Sequence, residues 1–260
     1  MVSREPEMDE QAGILRAIVE NPDDVTHRLV YADWLEEHGQ ERFGEFIRAH
    51  CALRPFLVNP KGDVQLPGAV EIMTIQPDLR PELLKAFQPV YEDLNETGEP
   101  LDAVLPRHFG LWVQRGLLEY LQIYGGNVLA VFNRHAKRIF ASVPLLHLGI
   151  STASGREGWT FYTPFSVHNA PASRVGIRAM RALLKRPEIV RLRSLDLSNL
   201  RLGNALGDSL LRAPDGFRPQ RLVLGGNQIQ EAMAERLRQR FDEALVLPPY
   251  SIEDDFDIPF

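Results

Sequence analysis

An α/β fold is predicted, with a helical N-terminal domain packed on a short, irregular solenoid of parallel strands that carries its helices on the convex side. Three observations predict it. Apolar residues recur at helical spacing over residues 9–53, and an L-x-x-L-x-L pattern recurs from residue 115 onward. Helical stretches such as NVLAVFNRHAKRIFAS and NALGDSLLRAP separate the copies. A chain of 260 residues, 44% hydrophobic, can bury a sizeable core.

The bulk numbers bound the function. A net charge of −6 and a pI near 5.7 argue against general affinity for nucleic acid or anionic membrane, because both reward clustered lysine and arginine. The single cysteine, Cys51, sits in an apolar helical run and reads as a buried, inert thiol. The N-terminal MVSREPEMDE lacks the apolar core of a secretion signal, and no stretch reaches the roughly 18 apolar residues that span a bilayer. The expected location is the cytoplasm, and the oligomeric state is not legible.

Residues 9–53 read as three consecutive helices. Ile14, Leu15, Ile18 and Val19 form the first apolar stripe, which stops at NPDD, where Pro22 suits a first-turn position. Gly39 supplies a C-cap after the second helix, and Phe43, Phe46, Ile47 and Cys51 share one side of the third. Residues 54–110 join this domain to the next. Pro55, Pro60, Pro67 and Pro77 break residues 54–80 into a surface linker, and RPELLKAFQPVYEDL offers one helix with a kink at Pro89.

The repeats occupy residues 111–247. Leu118, Leu121 and Ile123 align with Val143, Leu146 and Leu148, and then with Leu192, Leu195 and Leu197. A fourth, partial copy keeps Leu222, Leu224, Asn227 and Ile229, with Pro219 in place of the first leucine. The last two copies lie 27 residues apart, within the 20 to 29 residues of a leucine-rich repeat, in which one short strand and one helix alternate. Asn227 fits the position whose amide satisfies backbone groups where the strand turns away, whereas copy three places Leu200 in that slot and Asn199 one residue early. The 49-residue interval between copies two and three holds an insertion at 151–171 or a decayed repeat. The tail at 248–260, PPYSIEDDFDIPF, is acidic and aromatic and reads as a folded-back cap in preference to a linear docking motif.

With both halves in view, the chain resembles the bacterial repeat-companion family, in which a small helical N-terminal domain precedes leucine-rich repeats. The likeness is carried by ILRAIVENPDD, RLVYADWLEEHG and GEFIRAH in the helical half, and by RGLLEYLQI and LRSLDLS in the repeats. Residues 54–105, the insertion and the tail lie outside it. The resemblance implies a fold and a scaffold role, and supplies no catalytic residues.

RLVYADWLEEHG is the densest concentration of polar chemistry. Helical projection puts Val25, Leu29, Ala32 and Leu35 on one apolar face, and Val30 and Trp34 on a second, as in a helix sandwiched by neighbours. Asp33 and Glu37 lie between the faces, four residues apart, with His38 in the last turn. A catalytic use of Asp33, Glu37 and His38 needs a cleft and a nucleophile that nothing nearby implies. The structural reading is preferred, with a half-buried Asp33 accepting hydrogen bonds from neighbouring backbone or pairing with Arg28 or Arg48, Trp34 bonded through its indole N–H at the bundle edge, and His38 favoured by the helix dipole.

No phosphate-cradling, dinucleotide-binding, nucleophile-elbow or paired metal-ligand motif is present, so neither a cofactor nor a metal is expected. YGGN at 124–127 reads as the end of a repeat strand. The basic helix at 174–186, with Arg174, Arg178, Arg181, Lys185 and Arg186, reads as a solvated face first and as a site for an acidic partner or nucleic acid second.

The use expected of this fold is therefore to bind another protein through its exposed strand surface, without catalysis. With Leu121, Leu146, Leu195 and Leu222 inward, Tyr120, Leu145, Ser194 and Arg221 form one outward row and Gln122, His147, Asp196 and Val223 the next, extended by Tyr124, Gly149 and Ser198. The alternative is that the first strand's tyrosines pack against the N-terminal domain.

Overall fold

The computed structural model describes residues 5–52, 87–95, 109–152 and 174–247. The proline-rich linker, all but the first residues of the 151–171 insertion, and the 248–260 tail lie outside the described residues. Within them the chain is a mixed helix and parallel-sheet protein of eight α-helices and six strands.

Three helices open the chain: α1 (Glu5–Glu20), α2 (Val25–Glu37) and α3 (Glu41–Ala52). Asp24 caps α2 by accepting a hydrogen bond from the Thr26 N–H at 2.9 Å, so Pro22 lies in the connecting turn and not in the first helical turn. Gly39, at φ +75°, ends α2 as predicted. Its N–H donates to Glu36 O at 3.2 Å and the Gln40 N–H donates to Leu35 O at 2.8 Å, the paired bonds of a Schellman motif. Ile18, Tyr31, Ala32, Trp34, Leu35, Phe43, Phe46, Ile47 and Cys51 form a small core among the three. Val30 is 46% exposed, so the expected second apolar face of α2 reduces to Trp34.

The short helix α4 (Gln88–Leu94) carries Pro89 in its first turn, where proline is tolerated, and the residues before Phe87 that bear on the expected kink lie outside the described residues. It delivers Phe87 and Val90 to the larger core.

Next comes a hairpin that the repeat pattern did not signal. Strand β1 (Phe109–Gln114) pairs antiparallel with β2 (Leu117–Tyr124). The two loop residues, Arg115 (φ +49°) and Gly116 (φ +79°), both take left-handed backbone, as a type I′ turn requires. A Cβ on Gly116 would lie 2.6 Å from the Ile47 Cα, so the hairpin tip sits directly on α3. Leu117 completes the helical core.

From β2 the sheet runs parallel through β3 (His147–Ser151), β4 (Ser194–Asp196), β5 (Arg221–Val223) and β6 (Leu245–Val246), in chain order. Between the strands, α5 (Gly126–Ser142), α6 (Ile177–Leu184), α7 (Asn204–Leu210) and α8 (Glu231–Phe241) lie each beside the last. They cover the face that carries the inward leucines. The register corrects the alignment of copy two. Leu121 pairs with Leu148, Leu148 with Leu195, Leu195 with Leu222 and Leu222 with Leu245. Leu145, Leu148 and Ile150 therefore form the second copy, two residues on from the predicted frame. The interval from Leu121 to Leu148 then equals the 27 residues between Leu195 and Leu222.

Asn227 is 1% exposed and behaves as predicted: its amide donates to Leu224 O at 3.0 Å and to Leu197 O at 2.6 Å. In copy three Leu200 fills the asparagine slot as a buried apolar residue, and Asn199 takes φ +57° at the surface. One asparagine thus serves two turns.

A buried charged network fastens the three helices to the sheet. Arg28 on α2 is fully buried; its Nη2 donates to Glu119 Oε1 on β2 at 2.7 Å and to Pro22 O at 3.1 Å, and its Nη1 donates to Arg115 O at 3.3 Å. Arg115 grips the same carboxylate in a fork, Nε to Oε1 at 2.9 Å and Nη2 to Oε2 at 2.7 Å. Asp23 closes the chain of contacts by accepting from Arg115 Nη1 at 3.3 Å and from Arg193, just before β4, on both oxygens. The Arg193 guanidinium, helped by Arg115, overcomes the cost of burial and holds the Asp23 carboxyl down at about 2. Burial lowers Arg28 to about 10, against the opposing pull of Glu119.

Candidate interaction surface

The face of the sheet opposite the helices presents two ordered rows. Parallel register places Tyr120 beside His147, His147 beside Ser194 and Ser194 beside Arg221. All four are half-buried. The second row runs Gln122, Gly149, Asp196, Val223, and Tyr124 lies next to Ser151 beyond it. Every strand residue predicted to face outward does so except Leu145, but the rows are shifted by the same two residues as copy two. His147 belongs with Tyr120, and Gly149 belongs with Gln122.

Two predicted contact residues are not available. Leu145, 2% exposed, stands three residues before Leu148, in the position held by Leu118 before Leu121 and Leu192 before Leu195, and it belongs to the core. Val223 is on the predicted side of its strand but only 4% exposed, because Asp196 flanks it on one side and Val246 of the unforeseen strand β6 on the other.

The side chains that remain are already tied to one another. His147 Nδ1 lies 2.8 Å from Ser194 Oγ, and its ring stacks on Tyr120 with centroids 6.4 Å apart. The Tyr120 hydroxyl donates to Gln122 Oε1 at 2.9 Å, and Gln122 lies across Gly149, where a Cβ would meet Gln122 Oε1 at 1.9 Å. Asp196 Oδ1 accepts the Ser198 N–H at 2.8 Å. Burial, with the nearby positive charges of Arg193 and Arg115, pushes the His147 imidazole down to about 4, so it is neutral at pH 7. Burial raises the Tyr124 phenol to about 12 and raises the Asp196 carboxyl despite its bond from Ser198. The surface is a pre-arranged, amphipathic strip with little free charge. The N-terminal helices dock through Arg115, Gly116, Leu117 and Glu119, through the Arg193 to Asp23 pair, and through contacts between α1 and α5.

The acidic helix does not build a second site. Asp33 is exposed and pairs with Arg48, which also donates through Nε to Glu36 Oε1 at 2.9 Å. Glu37 points to solvent, and His38 stacks on Trp34 at 4.0 Å with Nδ1 2.6 Å from Trp34 O. The three residues serve three separate local roles. The Trp34 indole N–H, expected to be bonded at the bundle edge, is buried without a partner among the described residues.

The basic run is not one helical face either. Arg174 precedes α6, Lys185 caps its end and Arg186 follows it. Arg186 donates to Asn133 O, and Arg181 Nε reaches Ser209 Oγ at 3.4 Å. YGGN does end a strand: the Gly125 N–H donates to Ser151 O at 2.7 Å, and Gly126 lies against the Arg174 carbonyl, where a Cβ would be 2.2 Å from its oxygen.

Among the described residues no group of three His, Cys, Asp or Glu side chains is placed to hold a metal, and no helix is long and apolar enough to cross a membrane. Comparison with protein-family models, curated proteins and solved structures finds no match to the chain.

The charged network is what sequence reasoning missed. Arg28 appeared only as a candidate partner for Asp33, and Glu119 and Arg115 not at all. A charged residue inside an L-x-x-L-x-L strand, as Glu119 is, was the available signal, since a buried carboxylate requires a partner.

Proposed function

We propose that the chain is a non-catalytic cytoplasmic scaffold: a leucine-rich-repeat solenoid, preceded by a repeat-companion helical domain, that binds another protein through the strand face. The observation that carries this reading is the continuous row Tyr120, His147, Ser194, Arg221, with Gln122, Tyr124, Asp196 and Ser198 beside it, on the side of the sheet opposite the helices that pack on it among the described residues. Tyrosine and arginine supply much of the energy at protein interfaces, and side chains already bonded to one another lose little freedom on binding. The repeat reading is supported by the recurring 27-residue interval and by the turn-bonding amide of Asn227. A scaffold role is favoured over catalysis because Asp33, Glu37 and His38 do not converge, and over nucleic-acid binding because Arg181 and Arg186 are engaged in the helix layer.

The test is capture of the partner from the native host, followed by affinity measurement with Arg221→Glu and Tyr124→Ala proteins. Each change should weaken binding at least tenfold, about 1.4 kcal/mol, in protein that still unfolds cooperatively, with a lowered Tm expected for Tyr124→Ala because its ring is largely buried. Undiminished binding by both folded variants would overturn the strand-face reading.

A further inference from the structure

We propose that the acidic corner of α2 and α3 in one copy of the chain docks head to tail on the basic face of α5 and α6 in a second copy. The net charge of −6 hides two opposed poles. Residues 5–52 hold twelve carboxylates against four arginines, whereas residues 126–152 and 174–247 hold seventeen lysines and arginines against eight carboxylates.

The basic pole is concentrated on two neighbouring helices. α5 and α6 contain no Asp or Glu, and they pack side by side with Phe132, Ile139, Met180 and Leu183 turned into the core. Their solvent side carries Lys137, Arg138, Arg178 and Lys185, none of them paired with a carboxylate among the described residues. Other cations of the same layer are paired: Arg134 with Asp93 at 3.0 Å, Arg238 with Glu231 at 2.6 Å and Arg236 with Asp208 at 3.7 Å. Just beyond α6, Val190 stands exposed beside Arg191.

The helical domain supplies the matching surface. Glu37, Glu41 and Glu45 are exposed around the turn at Gly39, and Val30, on the same stripe of α2 as Glu37, is exposed with them. Val30 and Val190 are the large apolar side chains exposed among the described residues, one at each pole. Opposite charge steers and orients the encounter, and the two valines add an apolar contact that exposed ion pairs alone do not provide. Within one chain the poles leave each other uncovered, because these side chains are exposed and the buried Arg28 to Glu119 pair fixes α2 to the sheet. A long polyanion laid across α5 would run onto Glu10 and Glu20 of α1, which packs beside it, whereas a compact acidic corner need not. The contact uses the helix side of the sheet and leaves the strand face open. Because it joins unlike patches, the assembly grows as a chain or closes as a ring.

The test is sedimentation velocity on the full chain over a range of concentrations, at about 50 mM and about 500 mM salt, which shortens the reach of exposed charges about threefold. Association should rise with concentration at low salt and be at least tenfold weaker at high salt. Two variants follow, Lys137→Glu with Arg178→Glu on the basic face, and Glu37→Lys with Glu45→Lys at the acidic corner. Each should unfold cooperatively and stay monomeric alone. Their equimolar mixture should associate, because the intact acidic corner of the first meets the intact basic face of the second. A parent that is monomeric at every concentration in low salt would overturn the proposal, and so would association that either variant retains alone, or a mixture of the two folded variants that stays monomeric. A monomeric parent that binds a short DNA duplex, with binding lost in the Lys137→Glu, Arg178→Glu protein, would give the basic face to nucleic acid instead.

Discussion

The two ends of the sheet are built by opposite means. At the β1 end, a hairpin tip with a glycine against Ile47 and a carboxylate shared by two arginines lock three helices in place. At the β6 end, two residues of strand and a half-covered groove are all that the described chain provides. The first end is held by directional bonds that tolerate no slack, the second by partly exposed leucines that tolerate much. Buried charge therefore holds one end of this molecule, whereas at the other the described residues offer the buried Asn227 amide and partly exposed leucines.

The comparison breaks most sharply at Glu119. Glu119→Ala leaves Arg28 buried without its counter-charge and should cost about 3 to 5 kcal/mol in urea unfolding. A loss below about 1 kcal/mol would mean that the helices do not depend on the network. Acid should be the next largest lever, and it too acts at the β1 end. Burial lowers the His50 imidazole to about 4, with both ring nitrogens unpartnered among the described residues, and His147 is lowered to about 4 as well. The unfolded chain takes up these protons near pH 6.5, before the folded one does. Stability is thus complete above pH 6.5 and falls as pH drops toward 4, by about 3 kcal/mol for His50. His50→Leu should flatten that part of the profile, and an unchanged slope would contradict the assignment. Asp23 adds a lower window, its contribution present above pH 3.8 and lost as pH falls through about 2.

At the open end effects should be smaller. Leu245→Ala removes a partly buried side chain and should cost about 1 kcal/mol, read as a modest fall in Tm. A loss as large as that of Glu119→Ala would show the β6 end to be as tightly built as the other. Asp33→Asn, at an exposed pair with Arg48, should change stability by less than about 1 kcal/mol.

What the sequence disclosed follows from range. The leucine spacing, the helix stop at Gly39 and the bond of Asn227 to its own turn act within a few residues, and each was legible. The frame of copy two slipped because Val143, Leu146 and Leu148 satisfy the same pattern as Leu145, Leu148 and Ile150; only the 27-residue interval separates them. Strand β6 is too short to show a period. The Arg28 to Glu119 contact joins residues 91 apart, so although Glu119 stands out inside its leucine-patterned strand, nothing local names Arg28 as its partner. Of the surface strip, its side of the sheet was predicted, and its true row-mates became visible only with the strand pairing.

Asn227 carries a consequence for synthesis on the ribosome. Its amide donates to Leu197 O, 30 residues upstream, as well as to its own turn. The turn after β4 therefore emerges with an acceptor that its own copy cannot satisfy, and it stays incomplete until residue 227 has left the exit tunnel. At about 5 to 20 residues per second that wait lasts roughly 2 to 6 seconds. The turn after β4 is thus completed by the unit translated after it.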